Sequence, residues 1–539
     1  MTSANIIAAA TGILAHRCLF IRGEWHIQSP AIVRTHLVLF IFLFPVLDVY
    51  RDLGSPISNT CVVHASAISM YLVSLFSSIT VYRLLLHPLR SFPGPKLAAL
   101  STLWNVWKCR DSRRFQILES WHRQYGTVVR TGPNELTLLH PAAHDAMDGP
   151  TNRNTRSELY DLIHPLSSSI FTRDNEIHRE SRKMWDRALG ISAISQYKNR
   201  IIARVNMLES IVGQADGQAV HVNDLVHWYS FDSMGDIAFG QEFGMMKNRE
   251  WVEAALCMRS AITLLGPFIP AIWLSKIAFT YFPGQWKVAH FMKMLEFSAS
   301  CMRARKERQN DQPDIISAFL DEHKRHGNTD TRGPLLGGDA ATLLVAGSDT
   351  SAASIIILLY FLARYPNHAS KIREELQNID HTDFKALTAL PHLDATINEA
   401  LRLIPSVPTW GSRIVAREGL SLDGIFIPGG TKICASRYSI GRLDCAYVRP
   451  NEFIPERWYS QPELIKDRRA FSPFGVGKRS CAGKRIAMVQ MKLVVACLLR
   501  KYHVGFAPGH DSVVAFERDM RDQLTAIPGK LMLVFKTLS

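Results

Sequence analysis

Residues 471–483 read FSPFGVGKRSCAG and set one cysteine, Cys481, among three glycines, two aromatic residues and two cations. Cys481 stands just before residues 482–499, whose apolar side chains recur at helical spacing. The free N–H groups at the start of a helix favour a thiolate. Glycines let the backbone approach a flat ligand closely, and the cations could pair with acidic groups on that ligand. A thiolate beside a flat, acidic ligand indicates haem, in which thiolate ligation favours cleavage of the O–O bond.

Two other roles for Cys481 remain open at this point. A catalytic nucleophile would need a nearby histidine base, and no paired Cys and His motif is apparent in the sequence. A passive buried thiol would explain neither the glycines nor the cations.

A second group of reactive side chains lies in AGSDTS, residues 346–351, within the long apolar run of residues 335–365. Asp349 and Thr350 are an adjacent acid and alcohol, and small polar residues loosen local helix hydrogen bonding and can admit water. A ligand against this helix would meet a carboxylate, a hydroxyl and water, which is an arrangement for proton delivery. The alternative is a solvated kink or a polar core contact, and the hexapeptide alone favours that alternative. The polar residues also favour a buried core helix over a membrane span.

Glu399 and Arg402 are spaced i and i+3 on a predicted helix that Pro405 ends. Such pairs are usually surface salt bridges of little value. Arg457, within residues 453–458, could join them in a buried network because the guanidinium fork suits a carboxylate. This network would be scaffolding rather than chemistry.

The composition allows a sizeable core and limits the kinds of partner. The chain has 539 residues, of which 47% are hydrophobic and 20% are charged. The net charge of +14 favours an acidic partner, which could be nucleic acid, an anionic membrane surface or an acidic protein. Nine scattered cysteines without a CxxC pair argue against a structural zinc site and for reduced thiols on the cytosolic side.

The first ninety residues predict a membrane anchor. Residues 61–82 contain no Asp, Glu, Lys or Arg and are long enough to cross a bilayer. Two weaker candidates lie at about 3–15 and 35–50, for which a signal peptide or an interfacial hairpin is an alternative. Arginines between the weak candidates and cations after residue 82 place everything beyond that point in the cytosol, with one span or with three.

The rest of the chain predicts one large domain, residues 91–539, that is mainly helical with short strands near both ends. Residues 127–141 alternate and turn like a hairpin. Pro93, Gly94 and Pro95 form a stiff turn, which is a linker or a hinge that orients the domain against the membrane.

Several of these motifs together resemble the cytochrome P-450 family. Phe474, Gly477, Arg479, Cys481 and Gly483 match its haem-binding signature FxxGxRxCxG. Glu399 with Arg402 matches the ExxR element, residues 455–458 match the PERF-type element, and residues 346–351 resemble the oxygen-binding helix. The resemblance covers about residue 93 to the C-terminus and implies a mainly α fold with small β-sheets (α+β), a cytochrome P-450 fold behind an N-terminal membrane anchor.

The resemblance also implies a haem site. Cys481 would be the axial ligand of the iron of haem b, and Asp349 and Thr350 would steer protons. His178 and Arg182 resemble the WxxxR element that holds one propionate, with histidine in place of tryptophan. Arg413 resembles the strand arginine that reaches the other propionate.

The function that this resemblance implies is a membrane-anchored haem-thiolate monooxygenase of the endoplasmic reticulum, with its catalytic domain facing the cytosol. It would use O2 and electrons from an NADPH-dependent reductase, with cytochrome b5 as a further possible donor. The substrate would be a hydrophobic fungal secondary metabolite, an alkaloid, terpenoid or polyketide, bound by residues 264–282, 408–410 and 523–526 and by Val345. The alternatives are a non-oxygenating member (isomerase, dehydratase or oxidative coupling enzyme) and a haem sensor or carrier; a nucleic-acid binder is not expected, because no basic-aromatic repeat supports it.

Overall fold

The computed structural model describes residues 3–49, 57–308, 312–325 and 333–538. Helices hold 63% of the residues and the sheets are small. The predicted fold class, mainly α with small β-sheets, is therefore confirmed.

The helices fall into an N-terminal group and a large body. The N-terminal helices are α1 Ser3–Leu14, α2 Ser29–Val49 and α3 Ile57–Val81. The first half of the body contains α4 Lys96–Leu100, α5 Thr102–Lys108, α6 Arg114–Tyr125, α7 Ala143–Asp148, α8 Asn175–Ala188, α9 Ile191–Gln214, α10 Val222–Phe239, α11 Met245–Asn248, α12 Glu253–Ile262, α13 Leu265–Phe268, α14 Ile272–Tyr281 and α15 Trp286–Glu307. The second half contains α16 Ile315–Arg325, α17 Gly333–Arg364, α18 Pro366–Leu376, α19 Phe384–Thr388, α20 Pro391–Leu403, α21 Arg437–Ile440, α22 Lys484–Lys501 and α23 Ser512–Arg518.

The twelve described strands form four sheets. They are β1 Val128–Gly132, β2 Glu135–Leu138, β3 Thr155–Arg156, β4 Val220–His221, β5 Ser412–Ile414, β6 Leu420–Leu422, β7 Ile425–Ile427, β8 Lys432–Ala435, β9 Tyr502–Phe506, β10 Arg521–Gln523, β11 Thr525–Ile527 and β12 Met532–Thr537. The largest has the order β1-β2-β8-β5-β3, in which only β2 and β8 are parallel. The others are β4-β12-β9 and the hairpins β6-β7 and β10-β11. The antiparallel pair β1-β2 confirms the hairpin that residues 127–141 predicted.

The long helix α17 runs through the core. Its segment Leu335–Arg364 is apolar enough to cross a membrane, but 78% of an 18-residue apolar stretch within that segment is buried inside the protein, as expected for a core helix. It approaches α10 closely, because a Cβ on Gly347 would lie 2.2 Å from the Cε atom of Met234. The hydroxyl of Ser230 on α10 donates to the carbonyl oxygen of Ser348 at 2.6 Å, so a polar bond also joins the two helices.

The N-terminal helices are longer than the sequence suggested. Helix α1 continues as a π-helix to Phe20, and α3 continues as a π-helix to Leu86. Ser3–Phe20 and Thr60–Leu86 are both long and apolar enough to cross a membrane, and only 11% of an 18-residue apolar stretch within each segment is buried. The apolar part of α2, Ser29–Leu43, is shorter. Tyr50, the end of the second weak candidate, lies outside the described residues.

The turn between α1 and α2 contacts the body of the protein. His26 Nε2 lies 2.8 Å from Asp161 Oδ2, and Arg173 donates to both oxygens of Glu24 at 2.6 and 2.9 Å. The hydroxyl of Tyr281 at the end of α14 donates to the carbonyl oxygen of Pro30 at 2.7 Å. These bonds tie the N-terminal helices to the loop after β3 and to α14.

Candidate active site

The Cys481 segment is a tight loop that leads into α22. The backbone N–H of Cys481 donates to the carbonyl oxygen of Phe474 at 2.8 Å, which closes the loop. Gly475 and Gly477 have φ values of +69° and +65°, in the left-handed region that favours glycine. A Cβ on Gly477 would lie 1.8 Å from the carbonyl oxygen of Asp148, so glycine is required there for space as well. The loop therefore packs directly against the end of α7.

The thiol of Cys481 is solvent-accessible, although protein atoms surround it closely. Burial raises its pKa, while the backbone N–H groups of Gly483 and Lys484 and the cation Arg182 oppose that shift. The expectation that the helix start favours a thiolate thus holds for the N–H groups, but desolvation outweighs them. A coordinating metal ion deprotonates a thiol outright. Binding of an iron ion would therefore make Cys481 a thiolate, which the helix start alone does not do.

A buried cluster of cations surrounds this loop. Burial, and then the charges of Arg479 and Arg156, lower the pKa of His178 to about 3. Burial, and then the charge of Arg413, lowers the pKa of Arg479 to about 10. Arg182 donates to the carbonyl oxygen of Ser480 at 2.5 Å, which fixes it beside Cys481. The three positions predicted to hold propionates, His178, Arg182 and Arg413, therefore lie at one site, where the low pKa of His178 leaves it neutral.

The charges and the unpaired hydrogen-bond donors of this cluster fit an anionic ligand. Arg156 and Arg413 are direct cross-strand partners in β3 and β5. Like charges directly opposite each other destabilise a strand pair, and burial with the nearby cations Arg479 and Arg413 lowers the pKa of Arg156 to about 9. Among the described residues, Arg156 Nε and His178 Nε2 are buried without a hydrogen-bond partner. The cluster has the excess positive charge and the free donors that two propionates require.

Arg413 already has an anionic neighbour. It donates to both carboxylate oxygens of Asp148 at 2.5 and 2.8 Å and to the hydroxyl of Tyr160 at 2.8 Å. Asp148 thereby links β5 to the Cys481 loop, because its own carbonyl oxygen faces Gly477.

Helix α17 presents the acid and alcohol in different directions. Val345, Ala346, Gly347 and Thr350 are partly accessible, whereas Ser348 and Asp349 are buried. The Thr350 hydroxyl donates to the carbonyl oxygen of Ala346 at 2.6 Å. Asp349 accepts a hydrogen bond from the Thr525 hydroxyl through Oδ2, and its Oδ1 lies 3.6 Å from His227 Nε2. Thr350 thus belongs to the accessible stripe, and Asp349 points into a polar contact behind it.

The ExxR and PERF-type elements meet in a buried network. Arg402 donates to both carboxylate oxygens of Glu399 at 2.8 Å, and Arg457 donates to one of them at 2.9 Å. All three side chains are fully buried. Arg402 also donates to the carbonyl oxygens of Gly441 and Pro450, so the network holds the segment that precedes the cysteine loop.

The segments expected to line a substrate pocket also converge. Leu159, Leu265, Ile269 and Ile272 form a separate apolar cluster, against which four partly buried side chains pack: Tyr160, Leu162, Trp410 and Leu524. A pocket of about 310 Å³ is lined by Leu264, Phe268 and Gln523 among others, but its lining also includes four charged side chains, Arg110, Asp111, Lys287 and Arg521. Val345 packs against the main core instead.

Comparison with known proteins decides the family. The family model described as Cytochrome P450 matches residues 93–535. The chain is a cytochrome P450. Its fold matches the solved structure of the cytochrome P450DA heme domain with a TM-score of 0.65 at 18% identity, over 79% of this chain and 94% of that one.

The relatives of this P450 include fungal monooxygenases. The chain is 34% identical to the cytochrome P450 monooxygenase notG' of Aspergillus versicolor, over 95% of this chain and 94% of the relative. It is 33% identical to the tryprostatin B 6-hydroxylase of Neosartorya fischeri, over 94% of this chain and 93% of the relative. The protein is therefore an oxidoreductase of the monooxygenase class, and its family and fold imply a thiolate-ligated haem.

Sequence reasoning missed part of the cation cluster. Segments without a recognisable signature contain Arg156, Arg437, Asp148 and Tyr160. Burial lowers the pKa of Arg437, and its charge opposes the rise in the Cys481 pKa. Only the pairing of β3 with β5 brings Arg156 to Arg413, and no local pattern encodes that pairing.

Proposed function

We propose that this P450 is a membrane-anchored monooxygenase that hydroxylates a hydrophobic fungal secondary metabolite. The observation that carries the proposal is the pairing of Thr350, on the accessible stripe of α17, with the buried acid Asp349 directly beside it. Thr350 would face the ligand and Asp349 would lie behind it, so that a proton could pass from the acid to the alcohol and then to the ligand side.

Haem b, when bound, would supply the chemistry of oxygen activation. Cys481 would bind its iron, with Phe474, Arg479 and Gly483 of the signature shaping the loop. His178, Arg182 and Arg413 would bind the propionates, and Arg156 would share that task. Glu399, Arg402 and Arg457 would hold the preceding segment in place as a scaffold.

The substrate class follows from the apolar cluster around Ile269 and Trp410. Its members come from four separate parts of the chain, so their packing creates an apolar wall that favours a membrane-partitioning molecule. Relatives named as tryprostatin B 6-hydroxylases support hydroxylation of a fungal secondary metabolite. An alkaloid, terpenoid or polyketide remains the proposed range.

The anchor comprises residues 1–90, and residues 91–539 are the catalytic domain. Two N-terminal helices, Ser3–Phe20 and Thr60–Leu86, support the anchor because little of their apolar surface is buried. Localisation in the endoplasmic reticulum membrane with a cytosolic catalytic domain rests on the cations that follow residue 82.

We further propose that NADPH-cytochrome P450 reductase supplies the electrons, with cytochrome b5 as a second donor. Cations near the Cys481 loop are exposed and suit an acidic flavoprotein: Arg179, Lys183, Arg187, Lys478, Lys484 and Arg485. Arg179 and Arg187 pair with Glu176 and Glu322. Within the described part of the chain, no ion pair is found for Lys183, Lys478, Lys484 or Arg485.

The test is turnover in yeast microsomes that contain the full-length protein and a fungal reductase. Tryprostatin B and a panel of alkaloids, terpenoids and polyketides are supplied with NADPH, and products one oxygen heavier are sought by mass spectrometry. Thr350→Ala should release more hydrogen peroxide per NADPH and form less product, whereas the neighbouring Ser351→Ala should behave as wild type. Products isomeric with the substrate, or dehydrated, would instead indicate a non-oxygenating enzyme.

A further inference from the structure

The contact behind Asp349 involves a histidine for which the oxygenation mechanism has no assigned role. His227 lies on α10 and is 2% exposed, and its Nε2 atom is 3.6 Å from Oδ1 of Asp349 on α17. This is an ion-pair distance rather than a hydrogen bond, and a shift of about 0.7 Å would convert one into the other. We propose that His227 and Asp349 together store one proton for the reaction, so that His227 is a positioning residue that acts through Asp349.

The hydrogen bond at the other ring nitrogen determines what Nε2 can do. Nδ1 of His227 lies 2.6 Å from the carbonyl oxygen of Asn223. A carbonyl oxygen only accepts, so Nδ1 carries a hydrogen and donates it. In a neutral imidazole the other nitrogen is then a bare acceptor, and here it would face a carboxylate oxygen.

Two acceptors at this distance in a buried site repel each other unless a proton lies between them. Oδ2 of Asp349 already accepts from the Thr525 hydroxyl, and both acidic and imidazole side chains are about 2% exposed. Burial of an unpaired carboxylate is costly. The pair therefore holds one proton beyond that on Nδ1, either as imidazolium with carboxylate or as imidazole with carboxylic acid.

Among the described residues, no charged group outside the pair lies within ion-pair distance of His227 or Asp349. On the side away from Asp349, the ring of Trp251 lies 5.8 Å from that of His227. Trp251 donates to Asp224, one turn earlier on α10, at 3.2 Å. Arg259 stacks on Trp251 at 4.4 Å and lies 3.8 Å from Asp224. Nδ1 of His221 lies 2.6 Å from the other carboxylate oxygen of Asp224. Asp224 is therefore paired within this outer cluster, and Trp251 separates the cluster from His227 and Asp349.

In this arrangement a proton reaches Asp349 from His227 in a single transfer, from Nε2 to Oδ1. When the reaction draws a proton, the one on Nε2 moves to Oδ1 and Asp349 passes it on toward Thr350, so that His227 becomes neutral and Asp349 is again a carboxylate. A proton from solvent then restores the imidazolium. The inference rests on the proposed role of Asp349, and it adds the residue that supplies that acid.

The chain offers a matched control for His227. His122 on α6 is also buried, donates through Nδ1 to a carbonyl oxygen four residues away, that of Gly126, at 2.8 Å, and leaves Nε2 without a hydrogen-bond partner among the described residues. No ion pair to a described carboxylate is found for His122. His122→Gln therefore reproduces the packing change of His227→Gln without affecting a carboxylate.

The experiment compares purified haem-loaded variants with reductase, NADPH and O2. Hydrogen peroxide released per NADPH is measured for wild type, His227→Leu, His227→Gln, Asp349→Asn and His122→Gln. Both His227 variants should raise this ratio and lower the water-forming flux roughly tenfold, below the 10²-fold or more typical of a direct proton-transfer group. His122→Gln should match wild type. In infrared spectra of the resting holoproteins, His227→Leu should gain a protonated-carboxyl band that disappears when Asp349→Asn is added.

The outcomes separate this inference from the proposed function. If Asp349→Asn raises the peroxide ratio and neither His227 variant does, the inference is wrong and the role of Asp349 stands. If His227→Gln restores wild-type behaviour, His227 only orients the acid, and the stored proton is refuted. If Asp349→Asn itself changes nothing, the proposed role of Asp349 fails, and the inference fails with it.

Discussion

Replacing Gly477 with alanine tests how the cysteine loop is held. Gly475 and Gly477 have nearly the same φ, so alanine at either position incurs the left-handed penalty of about 1 to 2 kcal/mol. At Gly475 the new Cβ meets only ordinary contacts, the nearest 3.7 Å away at Ser480 Cα. At Gly477 it would lie 1.8 Å from the carbonyl oxygen of Asp148, whereas real Cβ atoms essentially never approach closer than 3.0 Å. The loop and α7 must then separate by at least about 1.2 Å.

That separation cannot occur freely, because Arg413 holds both carboxylate oxygens of Asp148. We expect a further cost of about 1 to 3 kcal/mol at Gly477, as for other overpacked sites. Either Cys481 or Arg413 is displaced, and both are proposed to bind the haem.

The assay is haem per protein and the thermal midpoint of purified Gly477→Ala beside Gly475→Ala. Gly475→Ala should lower the midpoint modestly and keep its haem, while Gly477→Ala should lose most of its haem as well. Equal haem contents and equal midpoints for the two variants would refute the close packing of the loop against α7.

Three further predictions follow from the charges. Arg413→Leu should weaken haem retention, measured as haem transfer to apomyoglobin, because one anchor of the propionates is lost; an unchanged transfer rate would contradict its role. Replacing Lys183 and Lys484 with glutamate should raise the reductase concentration needed for half-maximal reduction and remove much of the salt dependence of that concentration. The control Lys247→Glu, at an exposed position of α11, should leave both unchanged. Equal effects of the two changes would argue against docking at the cysteine face. Burial raises the pKa of Asp339 to about 7, so the folded protein binds its proton more tightly than the unfolded chain. The contribution of this group to the free energy of unfolding should therefore fall by about 3 kcal/mol between pH 4 and pH 7. Thermal midpoints across this range should be flatter for Asp339→Asn, and parallel curves would show that Asp339 stays ionised.

Local signatures in the sequence indicated much of the site. Cys481, Glu399, Arg402 and Arg457 occur in short motifs whose chemistry can be read from residue types and spacing. The hairpin and the helix after Cys481 were also predicted, although α22 begins at Lys484 rather than at residue 482.

Features that depend on distant pairing were not predictable. Arg156 reaches Arg413 only because β3 pairs with β5. His227 reaches Asp349 only because α10 packs against α17 near Gly347. The net pKa of Cys481 was also beyond sequence reasoning, because desolvation depends on the whole fold and opposes the effect of the helix start.

The central claim is that Cys481 ligates a haem. The most direct measurement is the absorption spectrum of the reduced, carbon-monoxide-bound protein for wild type, Cys481→Ser and Cys445→Ser, the last an exposed cysteine as control. We predict a strongly red-shifted Soret band in wild type and Cys445→Ser that is lost in Cys481→Ser. An ordinary Soret position in folded wild-type protein, or a red-shifted band that survives in Cys481→Ser, would contradict the assignment.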